Sequence, residues 1–173
     1  MKYCALLRGI NVSGKNKLPM KELTVHLEQL GIKAVQTYIQ SGNIVFEATQ
    51  AHWEEKIKEM LLNKYQYQVP TLVMTQSELE EIVHAHPHQH LDPAFLHITF
   101  LRSTPSQHLI DDLKLPSTNQ EQCVITSKAV FLHLPNGYGR TKLNNNFFEQ
   151  KLKVEATTRN WKTCQKLLEM IRV

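Results

Sequence analysis

Lys33-Ala34-Val35-Gln36-Thr37-Tyr38-Ile39-Gln40-Ser41-Gly42-Asn43-Ile44-Val45-Phe46 is the stretch that decides the fold. Residues 33–39 read as a strand, Ser41-Gly42-Asn43 as a tight turn, and Ile44 to Phe46 as a returning strand. A hairpin here separates a strand–helix pair from a helix–strand pair. Upstream, residues 3–8 are apolar and run into Gly9, which predicts a buried strand. Residues 9–18 form a polar loop. Pro19 suits a first helical position, and Leu23, Leu27 and Leu30 recur at helical spacing until Gly31 ends the helix. Downstream, Trp53, Ile57, Met60 and Leu61 share one face of a helix over 51–65. Val69 to Thr75 is the fourth strand. The order is βαββαβ, the split-βαβ or ferredoxin-like unit.

The order then recurs. Residues 76–86 predict an amphipathic linker helix, opening with a capping-box pattern from Ser77 to Glu80. Residues 86–93 are a loop containing Pro87 and Pro93, with the character of a mobile segment. Phe95 to Leu101 is a strand and 105–114 a short helix. Cys123 to Thr126 and Ala129 to Leu134 form a hairpin around Ser127-Lys128. Leu143 to Leu152 is a helix, Val154 to Thr157 a strand, and Trp161 to Ile171 a final helix. The expected fold is α+β: two ferredoxin-like subdomains, at 1–75 and 94–173, joined by the linker helix and His-rich loop of 76–93. The second carries the C-terminal helix. No sequence identity joins the halves; the repeat rests on element order.

Composition excludes several classes. Of 173 residues, 42% are apolar and 21% charged, which suits a globular chain and not a disordered one. No apolar run approaches the ~18 residues of a membrane helix, and the opening apolar run is too short for a signal peptide. Three widely spaced cysteines, Cys4, Cys123 and Cys164, point to reduced thiols and a cytoplasmic setting, with no membrane partner. The net charge of +4 is uneven: residues 1–46 carry +4, residues 47–121 carry −6 and residues 122–173 carry +6.

Three basic stretches bear on chemistry. Gly9-x-x-x-x-Gly14-Lys15-Asn16 nearly matches a phosphate-binding loop after a strand. Asn16 stands where a magnesium-binding hydroxyl belongs, Pro19 delays the helix, and no predicted strand ends in a metal-binding aspartate. That leaves a generic anion loop near Arg8, Lys15 and Lys17, or a solvated lysine loop. Gly137-Tyr138-Gly139-Arg140-Thr141-Lys142 places two glycines and two cations before a helix, as an anion site or a plain connection. In Thr157-Thr158-Arg159-Asn160-Trp161-Lys162-Thr163, Asn160 or Thr158 suits a helix cap, and Arg159 and Lys162 suit an anion clamp. None of the three stretches contains Asp or Glu, so the carboxylate pair of a glycosidase and the acidic metal ligands of a nuclease are missing. His84-Ala85-His86-Pro87-His88-Gln89-His90 makes His84, His86, His88 and His90 weak metal candidates, and no metal site is assigned. Ser41 and Asn43 stand where base-stacking aromatics of a βαββαβ RNA platform are expected.

Leu6-Leu7-Arg8-Gly9-Ile10-Asn11-Val12 with Gly14-Lys15-Asn16, then Thr37 to Asn43, then Ala156 to Thr163, resemble the motifs of the domain of unknown function 1697 family. The resemblance spans essentially the whole chain. It implies a bacterial, cytosolic protein of two ferredoxin-like subdomains, with no assigned activity. Ser13 stands where the family often has Gly. The family motifs fall on Arg8, Asn11, Lys15, Ser41, Asn43, Arg159 and Asn160.

The first and third strands of each unit are expected to run parallel. That would put loop 9–18 and turn 41–43 at opposite ends of the first half, and loop 135–142 and Arg159-Asn160 at opposite ends of the second. One shared site would then need Arg159 near loop 9–18. The working expectation is an anion- or nucleotide-binding protein, with a phosphate-bearing ligand held by Arg8, Gly9, Asn11, Gly14, Lys15, Ser41, Asn43, Arg140, Lys142, Arg159 and Asn160. The alternatives are nucleic-acid binding by the basic terminal segments, an enzyme using Lys15 or Arg159 to polarise its substrate, and an interaction protein whose acidic and basic segments pair between subunits. No cofactor, reaction or oligomeric state is assigned.

Overall fold

The computed structural model describes residues 1–49, 52–116 and 120–173. In the first half, β1 (Lys2–Leu7), α1 (Met20–Gln29), β2 (Lys33–Tyr38), β3 (Asn43–Glu47), α2 (Trp53–Tyr65) and β4 (Thr71–Thr75) follow the predicted order. Residue 51, where the second helix was expected to start, lies outside the described residues. α3 (Gln76–His84) follows. The second half repeats the order with β5 (Leu96–Leu101), α4 (Gln107–Asp111), β6 (Gln122–Ile125), β7 (Ala129–His133), α5 (Asn145–Leu152) and β8 (Ala156–Asn160). α6 (Trp161–Arg172) closes the chain. The sheets are ordered β2-β3-β1-β4 and β6-β7-β5-β8, so the two halves are the same βαββαβ arrangement. The chain forms two compact units, Met1–Glu80 with Lys166–Val173, and Glu81–Gln165.

Strand direction corrects one expectation. β1 runs antiparallel to β3, with Leu6 opposite Asn43, and antiparallel to β4. In a split βαβ the strand inserted between the two parallel ones must run against both. Loop 9–18, which leaves β1, and turn 39–42, which enters β3, therefore lie at one end of the first sheet. In the second half β7 and β8 both run against β5, with His133 opposite Leu96 and Asn160 opposite His97. Loop 135–142 and Arg159-Asn160 likewise share an end. Each half thus gathers its own motif residues, and the reason for requiring one shared site lapses.

A second correction concerns α3. Its capping box is Thr75 and Glu78, not Ser77 and Glu80: the Thr75 Oγ1 accepts from Glu78 N at 3.3 Å, and Glu78 Oε2 accepts from Thr75 N at 2.8 Å. The helix follows β4 without a break, so the last strand residue serves as the cap.

Leu7, Ile10, Leu18, Leu23, Leu27, Ile44, Phe46, Ile57 and Leu61 form the core of the first half. Leu101, Val130, Leu132, Leu143, Phe148 and Leu152 belong to that of the second. Burying each such side chain contributes about 1.5–3 kcal/mol. Tyr3 to Leu7 are all buried, as are Asn43 to Phe46. The central strands of the first sheet therefore present no open face on which bases could stack.

Candidate functional site

At the end of the first sheet, loop 9–18 is held from within. Val12 and Lys15 bridge across a two-residue turn, with Lys15 N donating to Val12 O at 2.9 Å. Ser13 and Gly14 occupy that turn at φ 50° and 74°, the positive values a tight hairpin turn needs. Asn11 N donates to Asn16 O at 3.1 Å, one step further along this small ladder. The near match to a phosphate loop is thus a small hairpin, and α1 starts only at Met20.

Both polar atoms of the Asn11 side-chain amide are used inside the fold. Its Nδ2 donates to Leu18 O and to Gln40 O, each at 2.8 Å, and its Oδ1 accepts from Leu18 N at 2.8 Å. Asn16 Nδ2 donates to Gly9 O at 3.0 Å. Tyr67 Oη donates to Lys17 O at 3.2 Å. Turn 39–42 is tied to the same loop. Leu7 N donates to Gly42 O at 2.8 Å, and the fully buried Asn43 donates through Nδ2 to Tyr38 O at 3.0 Å and Ser41 Oγ at 2.9 Å. The structure therefore brings Arg8, Gly9, Asn11, Gly14, Lys15, Ser41 and Asn43 together, but gives Asn11 and Asn43 structural roles. Lys15 and Lys17 are exposed, and Arg8 is half-buried.

At the end of the second sheet, Tyr138–Arg140 forms one 3-10 turn after Gly137, whose φ is 82°. Arg140 and Lys142 are exposed. Thr141 between them is buried and donates to Glu121 Oε2 at 2.9 Å. Asn160 Oδ1 accepts from Thr163 N at 2.9 Å, which is the expected cap of the last helix. Arg159 is half-buried and donates to Thr158 O at 3.0 Å.

Sequence reading missed a polar cluster beside this end: the buried His97, Thr99 and Asn145 with the half-buried Thr158, joined by Tyr138. The signal was in the strand itself. Leu96-His97-Ile98-Thr99-Phe100-Leu101 alternates polar and apolar residues, yet all six are buried.

The histidine tract is packed rather than loose at its centre. His86 is 3% exposed and lies against Phe131 and Trp161, with ring centroids 5.2 Å away in each case. Its Nε2 meets His97 O at 3.3 Å, and its Nδ1 accepts from His88 N at 3.2 Å. His84 and His90 are exposed. No group of three or more His, Cys, Asp or Glu side chains among the described residues is placed to hold a metal ion. Cys4 and Cys164 are buried and none of the three cysteines joins a disulfide. Burial pushes the Cys123 thiol up to about 12, so it is a poor nucleophile. Among the described residues no helix is long and apolar enough to cross a membrane.

Comparison with known proteins adds the lineage. The family model described as "Protein of unknown function (DUF1697)" matches residues 1–131. A solved structure of a conserved bacterial protein from Streptococcus pneumoniae is similar, with 25% identity, 98% of each chain covered and a TM-score of 0.66. No curated protein matches the chain.

Proposed function

The chain belongs to the DUF1697 family of proteins of unknown function, and from that premise we propose that it binds an anionic, phosphate-bearing small molecule such as a nucleotide. One observation carries the reading. Loop 9–18 is hydrogen-bonded within itself and free of Asp and Glu, the side-chain nitrogens of Asn11 and Asn16 are bonded to backbone carbonyls, and its lysines are exposed in the loop that follows Arg8. A preorganised cationic loop loses little entropy when an anion docks. Arg140, Lys142 and Arg159 form a second basic set at one end of the other sheet, with the Glu121 carboxylate held on Thr141 between the first two. A reducing, cytoplasmic setting fits three cysteines without a disulfide.

Thermal-shift titration with inorganic phosphate, nucleotides and sugar phosphates tests this. A ligand at 100 times its Kd stabilises by about 2.7 kcal/mol. The shift should shrink in Arg8→Ala/Lys15→Ala if the first loop binds, and in Arg140→Ala/Lys142→Ala if the second does. Wild-type protein that no probe shifts, or charge-removal variants that respond as well as wild type, would overturn the reading.

A further inference from the structure

The second half buries a set of hydrogen-bonding groups that its own chain does not satisfy. Register pairs His97 with Leu132 and Thr99 with Val130. Leu132 and Val130 belong to the apolar cluster that includes Phe148 and Leu152 of α5. Paired residues on antiparallel strands point to one face, so His97 and Thr99 interrupt an otherwise apolar layer. On the other side of β5, Thr158 pairs with Thr99.

The hydrogen bonds of this cluster run in one direction. Thr158 Oγ1 donates to Asn145 Oδ1 at 3.0 Å, so its contact with Thr99 Oγ1 at 2.8 Å must be received from Thr99. That chain ends on Asn145 Oδ1, while Asn145 Nδ2, in a residue only 9% exposed, is buried and meets no acceptor. Asn145 N donates to the Tyr138 hydroxyl at 2.9 Å. The Tyr138 ring lies over His97, with centroids 5.1 Å apart at 26°. His97 is 8% exposed, and its Nδ1 also meets no partner. Buried polar groups are nearly always paired, so two unmet groups on residues that each touch Tyr138 point to a missing partner.

The chemistry of that partner follows from the groups themselves. Asn145 Nδ2 only donates, so it needs an acceptor. Burial lowers the His97 pKa; the Phe95 backbone opposes that shift without closing a hydrogen bond on Nδ1. The imidazole is therefore neutral near pH 7, and its tautomer can supply a donor. An uncharged, buried donor pair suits an uncharged oxygen, because an ion would have to shed its water there without a countercharge. Tyr138 stands over the cluster on the short turn Tyr138–Arg140, between Gly137 and Gly139. A Cβ added at either glycine meets nothing within 4 Å. Arg140 and Lys142 follow on the same loop, with the Glu121 carboxylate held on Thr141 between them and partly offsetting their charge.

We propose that Asn145 and His97 form a ligand subsite beneath Tyr138 that receives a carbonyl oxygen of a small molecule, whose phosphate stays outside at Arg140 and Lys142. The outer half of this assignment rests on the anion-binding reading; the inner half does not. Tyr138 acts as the cover and swings on its flanking glycines.

Titration calorimetry, together with the Asn145 side-chain amide signal in nitrogen–proton correlation spectra, tests it with six probes. Uridine monophosphate and N-acetylglucosamine phosphate carry a carbonyl. Adenosine monophosphate, glucose phosphate and inorganic phosphate do not. Uridine carries the carbonyl without the phosphate. The expected result is at least tenfold tighter binding of a carbonyl-bearing phosphate than of its partner lacking one, with the Asn145 amide signal moving. Asn145→Asp should abolish that preference. If Asn145→Asp does not fold, Tyr138→Ala, which removes the cover, should weaken the carbonyl-bearing probe at least tenfold. Equal binding of all phosphates with a stationary Asn145 signal overturns the subsite and leaves the anion reading intact. Uridine binding as tightly as its monophosphate keeps the subsite and removes the anion reading from this half. No binding by any probe, with the amide behaving as a water-filled core group, overturns both.

Discussion

His86 is held as one tautomer. Its Nδ1 accepts the His88 N–H, so the ring proton sits on Nε2 and is donated to His97 O at 3.3 Å. A second proton on Nδ1 would face that N–H directly. Burial, foremost, lowers its pKa from 6.5 to about 4, with the His88 and His97 charges adding and the His97 and Leu132 backbone opposing. The unfolded chain takes this proton near pH 6.5 and the folded chain only near pH 4, so between those values the unfolded state binds more protons. Stability from this group is therefore complete above about pH 6.5 and drains as pH falls toward 4, by on the order of 3 kcal/mol in total. His88 and His97 are shifted in the same direction, also chiefly by burial. Urea midpoints measured from pH 7.5 to 5 should fall with acid, and His86→Leu should flatten that slope whatever it does to stability at pH 7.5. An unchanged slope in the variant would show that His86 is not the titrating group.

Among the connecting elements, the turn between β2 and β3 is the most demanding. Gly42 has φ +78°, and a Cβ there would lie 2.5 Å from Leu7 Cβ and 2.9 Å from Ile10 Cδ1. Gly14, at φ +74°, has nothing within 4 Å of the same atom. Gly42→Ala should therefore cost about 3 kcal/mol or more, through strain and displacement of β1, while Gly14→Ala should cost about 1 kcal/mol for the left-handed backbone alone. Chemical denaturation of both variants checks this, and equal losses would mean that the turn yields more easily than its packing implies. The same turn shows what could be read beforehand. Ser41-Gly42-Asn43 announces a hairpin, because glycine and asparagine tolerate positive φ, and Leu23, Leu27 and Trp53, Ile57, Leu61 announce helices by their spacing. The antiparallel run of β1 against β3 was itself implied by the βαββαβ order, since a strand inserted between two parallel ones must run against both; the register that sets Leu6 opposite Asn43 was not. The inward roles of Asn11 and Asn43 were also hidden. Asn11 bonds Gln40, 29 residues away, and a contact at that separation exists only once the sheet has formed. His97, Thr99 and Asn145 escaped for a related reason: a polar residue in a strand ordinarily signals an outward face, and here both faces of β5 are buried.

Charge is a property of the whole molecule, and its distribution separates two kinds of anionic partner. The basic segments at 1–46 and 122–173 carry +4 and +6, against −6 between them. Many of the acids lie on α2 and α3, as Glu54, Glu55, Glu59, Glu78, Glu80 and Glu81, where they are answered in part by Lys58 at 3.0 Å from Glu54, Arg172 at 2.9 Å from Glu80 and Lys128 at 2.8 Å from Glu81. Lys128 and Arg172, both from the basic C-terminal segment, are thus committed to internal pairs, which leaves fewer cations for a polyanion than the sequence totals imply. Binding of single-stranded RNA by a diffuse basic coat should engage six or more phosphates and lose about 300-fold or more in affinity between 50 and 200 mM salt. A local site of two or three cations, such as Arg8 with Lys15 and Lys17, should lose only roughly twentyfold over the same range. The decisive measurement is fluorescence anisotropy of a labelled oligonucleotide across that salt series, with nucleotide monophosphate as competitor. A shallow slope with full competition by the monomer fits a small-molecule anion site. A steep slope that the monomer does not relieve assigns the basic segments to nucleic acid, and the loop at residues 9–18 then becomes one contact among many rather than a site of its own.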